Sequence, residues 1–145
     1  MGREYTERKF WDGFAGRYDS FIKRLQPIYD LIIQKVRETI DPSQDILEIA
    51  TGTGIISLAI ADNAHTVTGC DISPEMIKVA QKKLEESHLN NVSFSVEDAY
   101  HLGFEDAAYD VAIASNTLHV MIDPGQALRS MHRVLKPGGI LIAPT

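Results

Sequence analysis

The chain has one cysteine, Cys70, among 145 residues. No internal disulfide can form, so a reducing, cytoplasmic setting is the default expectation. One thiol and scattered histidines do not make the ligand set of a tetrahedral zinc site, so no metal is expected. No apolar run approaches the roughly 20 residues that span a bilayer, which argues against stable membrane insertion. Positive charge is also short: 14 Lys and Arg face 20 Asp and Glu, for a formal net charge of -6. Phosphate backbones and anionic membranes attract basic surfaces, so no nucleic-acid partner is expected. The opening "MGREYTERKFWDGF" lacks the apolar centre of a signal peptide, and Gly2 followed by Thr6 is too short a pattern to mark myristoylation.

What is present suits one globular domain: 44% of residues are hydrophobic and 23% charged, enough to build a core at this length. Phe10, Phe14, Tyr18, Phe21 and Leu25 recur at helical spacing and predict one apolar helix face. Pro27 then separates a second helix carrying Ile28, Leu31, Ile32, Val36 and Ile40. Beyond "DPSQD" the pattern alternates between strand and helix. Ile46–Ala50, "HTVTGCD", "VSFSV", "YDVAIAS" and "ILIAP" read as strands, with "KPGG" as a turn before the last. Ile55–Asp62, "SPEMIKVAQKKLEESH" and a segment after Asp123-Pro124 carrying Ala127, Leu128, Met131, Val134 and Leu135 read as helices. Ser73 and Asp123 are placed to cap two of them, each followed by a proline suited to a first turn.

Such alternation predicts an α/β fold: a three-layer, doubly wound, Rossmann-like parallel sheet. Ligands bind such sheets beyond the carboxyl ends of the strands, which here are Thr51–Gly54, Asp71–Ser73, Glu97–Ala99 and Ser115–His119. Gly52 and Gly54 open a strand-to-helix turn that allows close ligand approach, although a sharp turn with no ligand has the same signature. Asp71 ends the next strand and could accept hydrogen bonds from both hydroxyls of a ribose. The dinucleotide fingerprint expects Gly or Ala where Ser57 stands, and Glu48 would repel a pyrophosphate while holding an amino group. A ribose, an amino-acid end and little negative charge describe S-adenosylmethionine.

Five segments in order then resemble the class I S-adenosylmethionine-dependent methyltransferases: "LEIATGTG", "VTGCDISPEMIKVA", "VSFSVEDAYHLGF", "YDVAIASNTLHVMIDP" and "ALRSMHRVLKPGGILIAPT". The branch most similar contains ubiquinone/menaquinone-biosynthesis and phospholipid N-methyltransferases, whose members often open with an aromatic helix like "FWDGFAGRYDSF". The resemblance covers roughly residues 8 to 145 and implies strand order 3-2-1-4-5. It implies that Ala50, Thr51, Gly52 and Gly54 receive the methionine part, with Glu48 near its amino group. Asp71 would hold the ribose, Ile72 and Met76 would flank the adenine, and Asp98 and the Ala99 backbone would meet its edge. Asn116 would reach the methionine end through its carbonyl. Tyr18 would close over the site, with core packing as its other reading, and Asp110 is read as structural.

Methyl transfer from a sulfonium needs mainly an in-line nucleophile, and a base only if the acceptor must lose a proton. His119 is the candidate base, with a packing or surface histidine as the alternative; His101 is weaker, and His65, His88 and His132 have no expected partner. "SNTLHV" lacks the Pro-Pro-aromatic motif of enzymes that methylate amino groups of DNA bases. The expected acceptor is therefore a small or lipid-like molecule. Residues 1–40 are expected to form part of a cofactor lid and residues 41–145 the binding core, in one domain. The usual fold has two further strands, so either a fragment or a chain whose fifth-strand edge is covered by another chain is expected, one that homo-oligomerises through that edge or is marginally stable. Two rival readings are a non-catalytic S-adenosylmethionine-binding module and a nucleotide-dependent oxidoreductase.

Overall fold

The computed structural model describes residues 2–145; Met1 lies outside them. The aromatic stripe at the start is broken into pieces. Helix α1, Arg3–Phe14, passes through a 3-10 turn, Ala15–Arg17, into a short α2, Tyr18–Lys23. A 3-10 turn advances three residues per turn instead of 3.6, so the stripe loses phase. Phe21, beyond the turn, is largely exposed, and so is Phe10 on α1, which has no buried residue of its own. Phe14 still meets both Tyr18 and Phe21 edge-to-face, at 5.9 and 5.6 Å.

Helix α3, Gln26–Thr39, contains Pro27 in its first turn instead of being set off by it. Its buried face is Tyr29, Ile32 and Val36, continued by Ile40. The expected members Ile28 and Leu31 point outward, because burial of Tyr29 sets the phase of the helix.

The rest is the predicted alternation: β1 Asp45–Glu48, α4 Ile55–Ile60, β2 Thr66–Asp71, α5 Pro74–Ser87, β3 Val92–Val96, β4 Tyr109–Ile113, α6 Pro124–Val134 and β5 Leu135–Ile142. The five strands lie in the order β3-β2-β1-β4-β5, all pairings parallel. Parallel strands need crossovers, and the helices that supply them cover both faces. Successive residues of β1 and β4 therefore serve two cores. Ile46, Val111 and Ile113 pack with α3 and α4 on one side, while Leu47 and Ala112 pack with Met131 and Val134 of α6 on the other. Asp110 is structural, as expected: its Oδ2 accepts the Asp45 N–H at 2.8 Å at the far end of the sheet.

The last strand departs from expectation. Leu135 leaves the helix and pairs with Tyr109, and "KPGG" is a bulge within β5, not a turn ahead of it. The pairing slips between Tyr109 and Val111, which meets Ile140. Gly138 allows this at φ +81, and a Cβ on Gly139 would fall 2.8 Å from the Lys136 carbonyl. In the described sheet β5 is an edge, with Ile140 and Leu141 each 40% exposed.

A candidate cofactor cavity at the strand ends

The carboxyl ends of β1, β2, β3 and β4 open into one cavity, roofed by α1. Among its lining residues are Glu7 and Trp11 from α1, then Tyr18, Tyr29, Ala50 and Gly52, then Cys70, Asp71, Ile72 and Met76. Glu97, Asp98, Ala99 and Tyr100 follow β3, and Ser115, Asn116, Thr117, Val120 and Met121 follow β4. The described lining includes four carboxylates and no Lys, Arg or His.

Asp71 is buried at the end of β2 and holds two turns together. Its Oδ2 accepts the Gly52 N–H at 2.9 Å and its Oδ1 accepts the Ser73 N–H at 3.0 Å. Burial pushes its carboxyl above the ordinary range, and these two backbone donors oppose that shift. Each oxygen has a second lone pair that could receive a hydroxyl of a ribose. Asp98 is arranged similarly: Oδ1 accepts the Tyr100 N–H at 2.9 Å. The Ser115 hydroxyl is buried without a partner beside Asn116.

The two turn glycines have different duties. A Cβ on Gly52 (φ +60) would sit 3.3 Å from the Tyr18 ring, so this glycine lets the N-terminal segment lie on the turn. A Cβ on Gly54 (φ +81) would fall 2.6 Å from Cζ of Phe94. Gly54 therefore admits a β3 side chain, and it is not among the residues that line the cavity. Ala50 and Asn116 carry positive φ values of 51 and 49 without being glycine, at the ends of neighbouring strands.

Glu48 and Thr51 lie behind the turn, outside this cavity. Glu48 is buried, and its Oε1 accepts from the Thr51 hydroxyl at 2.6 Å and the Ser57 hydroxyl at 2.7 Å. Desolvation pushes its carboxyl up to about 7 despite those two bonds. The residue that breaks the dinucleotide fingerprint, Ser57, is thus the partner of this acid. Glu48, Thr51, Tyr18, Tyr29, Ala50 and Ser115 enclose a second, smaller space under the turn. Tyr18 joins the two spaces, and burial pushes its phenol well above its usual range.

His119 is not brought to the cavity. It lies on a 3-10 turn, Leu118–Val120, whose neighbours Thr117 and Val120 line the cavity while the imidazole is exposed to solvent. A three-residue turn presents successive side chains in different directions, and His119 takes the outward one. His101 is also exposed, beside Asp98 at 3.4 Å. His65 does have a partner, with Nδ1 2.8 Å from Asp45 Oδ1.

The residues that sequence reasoning missed come mostly from the roof. The Tyr100 hydroxyl donates to Glu7 at 2.8 Å, and the Arg3 guanidinium lies 3.9 Å from the centre of the Tyr100 ring. Arg3 also pairs with Asp123, the residue that caps α6. Asp12 accepts from the Ser73 hydroxyl and, at 3.3 Å, from the Glu75 N–H at the start of α5. Those charged and aromatic positions read locally as a solvated helix; only the partners far along the chain reveal them.

Sheet order, glycine turn and acidic strand end together define a doubly wound protein with a site for a nucleoside-bearing cofactor. Comparison with known proteins is more specific. The family described as "Methyltransferase domain" matches residues 47–143, and the chain belongs to that family. A demethylmenaquinone methyltransferase of Chlorobaculum tepidum is 33% identical over 141 residues, 91% of this chain and 56% of the relative. A ubiquinone/menaquinone biosynthesis C-methyltransferase of Geotalea daltonii is 29% identical over 144 residues, 93% of this chain and 60% of the relative. The chain thus spans little more than half the length of these two relatives. The crystal structure of the [4+2]-cyclase SpnF is 38% identical with a TM-score of 0.71, over 79% of this chain and 42% of that one.

Proposed function

We propose that the chain binds S-adenosylmethionine and forms the cofactor half of a methyltransferase for a small or lipid-like acceptor. The observation that carries this reading is the charge of the cavity. Glu7, Asp71, Glu97 and Asp98 face it, and among the described residues no Lys, Arg or His lines it, which suits a ligand with an ammonium and a sulfonium and opposes a pyrophosphate. That disfavours a nucleotide-dependent oxidoreductase. The relatives named as quinone-biosynthesis methyltransferases support a quinone-like acceptor.

In this reading Asp71 receives the ribose hydroxyls, and Ile72 and Met76 flank the adenine, with Asp98 and Ala99 at its edge. Ala50, Gly52 and Asn116 border the methionine part, beside the unpartnered Ser115 hydroxyl. Glu48 and Thr51 act from behind the turn by fixing its shape. The N-terminal helices serve as the lid: Glu7, Trp11 and Tyr18 close the cavity from above. S-adenosylmethionine supplies a methyl group on an already activated leaving group, so these residues have mainly to bind, orient and exclude water. Val120, which both lines the cavity and is 56% exposed, together with Trp11 and Met121, gives the acceptor an apolar approach.

Binding without methyl transfer is the second reading. It is favoured by the absence of a histidine among the described lining residues and by the likeness to a protein named a [4+2]-cyclase. Among the described residues no helix is long and apolar enough to cross a membrane. A cytoplasmic setting is proposed from the single cysteine, and self-association from the exposed β5 edge.

Calorimetric titration with S-adenosylmethionine, S-adenosylhomocysteine and NADH tests the cofactor. Binding of the first two supports the proposal, and binding of NADH alone overturns it. Turnover on a panel of quinol, phenol and amine acceptors then separates an enzyme from a binding module.

A further inference from the structure

Lys83 lies in the second half of α5, outside every motif of the sequence, yet it reaches the glycine turn. Its Nζ donates to the Thr53 hydroxyl at 3.1 Å and to both carboxylate oxygens of Asp19, at 3.4 and 3.3 Å. The Thr53 hydroxyl in turn donates to Asp19. We propose that Lys83 is a positioning residue for cofactor binding, fastening Asp19, and with it Tyr18, onto the glycine turn. The inference rests on the reading of Tyr18 and that turn as part of the cofactor site.

Two adjacent pairs of residues make the argument. Tyr18 and Asp19 are neighbours in the chain, and so are Gly52 and Thr53. The Tyr18 ring lies on Gly52, while Asp19 meets Thr53. A ring resting on a glycine is a contact without direction and can slide. The three-sided junction of Asp19, Thr53 and Lys83 is directional, because each bond fixes an angle as well as a distance. Thr53 is fully buried, so its hydroxyl needs these partners.

Lys83 is also unlike the other paired lysines. Its side chain is 29% exposed, against 69% for Lys35, 72% for Lys78 and 44% for Lys136, so solvent screens the lysine end of the pair less, while Asp19 is 42% exposed. A second anchor lies at the other end of the same helix, where Asp12 takes the Ser73 hydroxyl and the Glu75 N–H. Helix α5 therefore holds the N-terminal segment at two points: Asp12 fixes the roof and Asp19 fixes its hinge on the turn. Removing the ammonium would leave the Asp19 carboxylate without its cation beside a cavity that already holds four carboxylates.

The test compares Lys83→Met, Lys83→Arg, Asp19→Asn and the control Lys82→Met, all in the full chain. Lys82 is exposed on the same helix and makes none of these contacts. Calorimetry gives the Kd for S-adenosylhomocysteine, and acrylamide quenching of Trp11, the single tryptophan, reports the roof without any ligand. The expected result is a Kd raised about tenfold in Lys83→Met, a value of coupling common for paired groups, with Trp11 more easily quenched. Lys83→Arg restores most of the affinity, Lys82→Met behaves as wild type, and adding Asp19→Asn to Lys83→Met costs little more. Wild-type Kd and quenching in both Lys83→Met and Asp19→Asn overturn the proposal; if Lys83→Met does not fold by circular dichroism, Asp19→Asn decides. A wild-type chain that binds no S-adenosylhomocysteine refutes the cofactor reading instead, and the quenching comparison still decides the role of Lys83.

Discussion

The Gly52 N–H points at Asp71 Oδ2, 2.9 Å away, so the end of β2 holds the glycine turn in shape. One carboxylate thus has two duties. Replacing Asp71 with Ala leaves the Gly52 and Ser73 N–H groups unpaired in a buried place, at a cost of about 1–3 kcal/mol for each such group. The expected outcome is a lower thermal midpoint together with affinity for S-adenosylhomocysteine weakened by roughly 1–3 kcal/mol. Asp71→Asn keeps one acceptor oxygen and falls between. Thermal melts and calorimetry on the same samples check both effects, and unchanged affinity in Asp71→Ala would remove Asp71 from the ribose site.

Glu48 links folding to pH. Its folded-state carboxyl is raised from the ordinary 4.5 to about 7, so folding favours the protonated form. Its contribution is fully present below about pH 4.5 and is lost as pH rises through about 7. That difference is worth on the order of 3 kcal/mol. Glu48→Gln keeps an acceptor for the Thr51 and Ser57 hydroxyls without the charge. It is expected to match the wild type near pH 5 and exceed its stability at pH 8, by denaturant titration at both values. Parallel curves at the two pH values would show that Glu48 does not titrate in this range.

Gly54 and Gly138 share φ +81 but differ in their surroundings. A Cβ at Gly138 meets nothing within 4 Å, whereas one at Gly54 falls on the Phe94 ring. Gly138→Ala should cost about 1–2 kcal/mol, the penalty for a left-handed residue. Gly54→Ala should cost a further 1–3 kcal/mol or so for overpacking. Equal losses by urea denaturation would show that Phe94 moves aside freely.

His119→Ala should leave methyl transfer within about twofold of wild type, since the imidazole faces solvent. A loss of a hundredfold or more, on the scale expected for a general base, would place His119 at the reacting atoms after all. Steady-state kinetics on any acceptor found in the panel decides.

Association through β5 should depend on Ile140 and Leu141. Light scattering over a concentration series is expected to show self-association that Ile140→Lys weakens, since a charge on an edge strand opposes pairing. A monomer at all concentrations would exclude this edge as an interface.

The sheet was legible because its signals are local. The glycine turn, the Ser73 and Asp123 caps and the acid at Asp71 all lie within short windows and stand where expected, while strand ends shifted, β1 stopping at Glu48 and β5 beginning at Leu135. The family resemblance implied most of the cavity floor: Ala50, Gly52, Asp71, Ile72, Met76, Asp98, Ala99 and Asn116 do line one space. The N-terminal segment was expected as a lid from the family resemblance, but the contacts that hold it in place were not legible. Glu7 meets Tyr100 across 93 residues and Arg3 meets Asp123 across 120, and no local pattern encodes such pairs. Phase errors explain most of the rest. One 3-10 turn broke the aromatic stripe ahead of Phe21, Tyr29 displaced Ile28 and Leu31 from the core, and the bulge at Gly138 drew Leu135 into β5. At Gly54 a second constraint was not legible, because its neighbour Phe94 belongs to a strand two positions away in the sheet.

Ala50 and Asn116 follow the neighbouring strands β1 and β4 by two and three residues, and both sit in a backbone state that side chains resist. Glycine at either place would relieve that resistance, yet it would also free the two chain segments that shape the cavity floor. Heat tolerance and a defined binding surface thus pull these two positions in opposite directions. A library selected only for survival at high temperature would be expected to collect changes here first and lose ligand recognition as it did so.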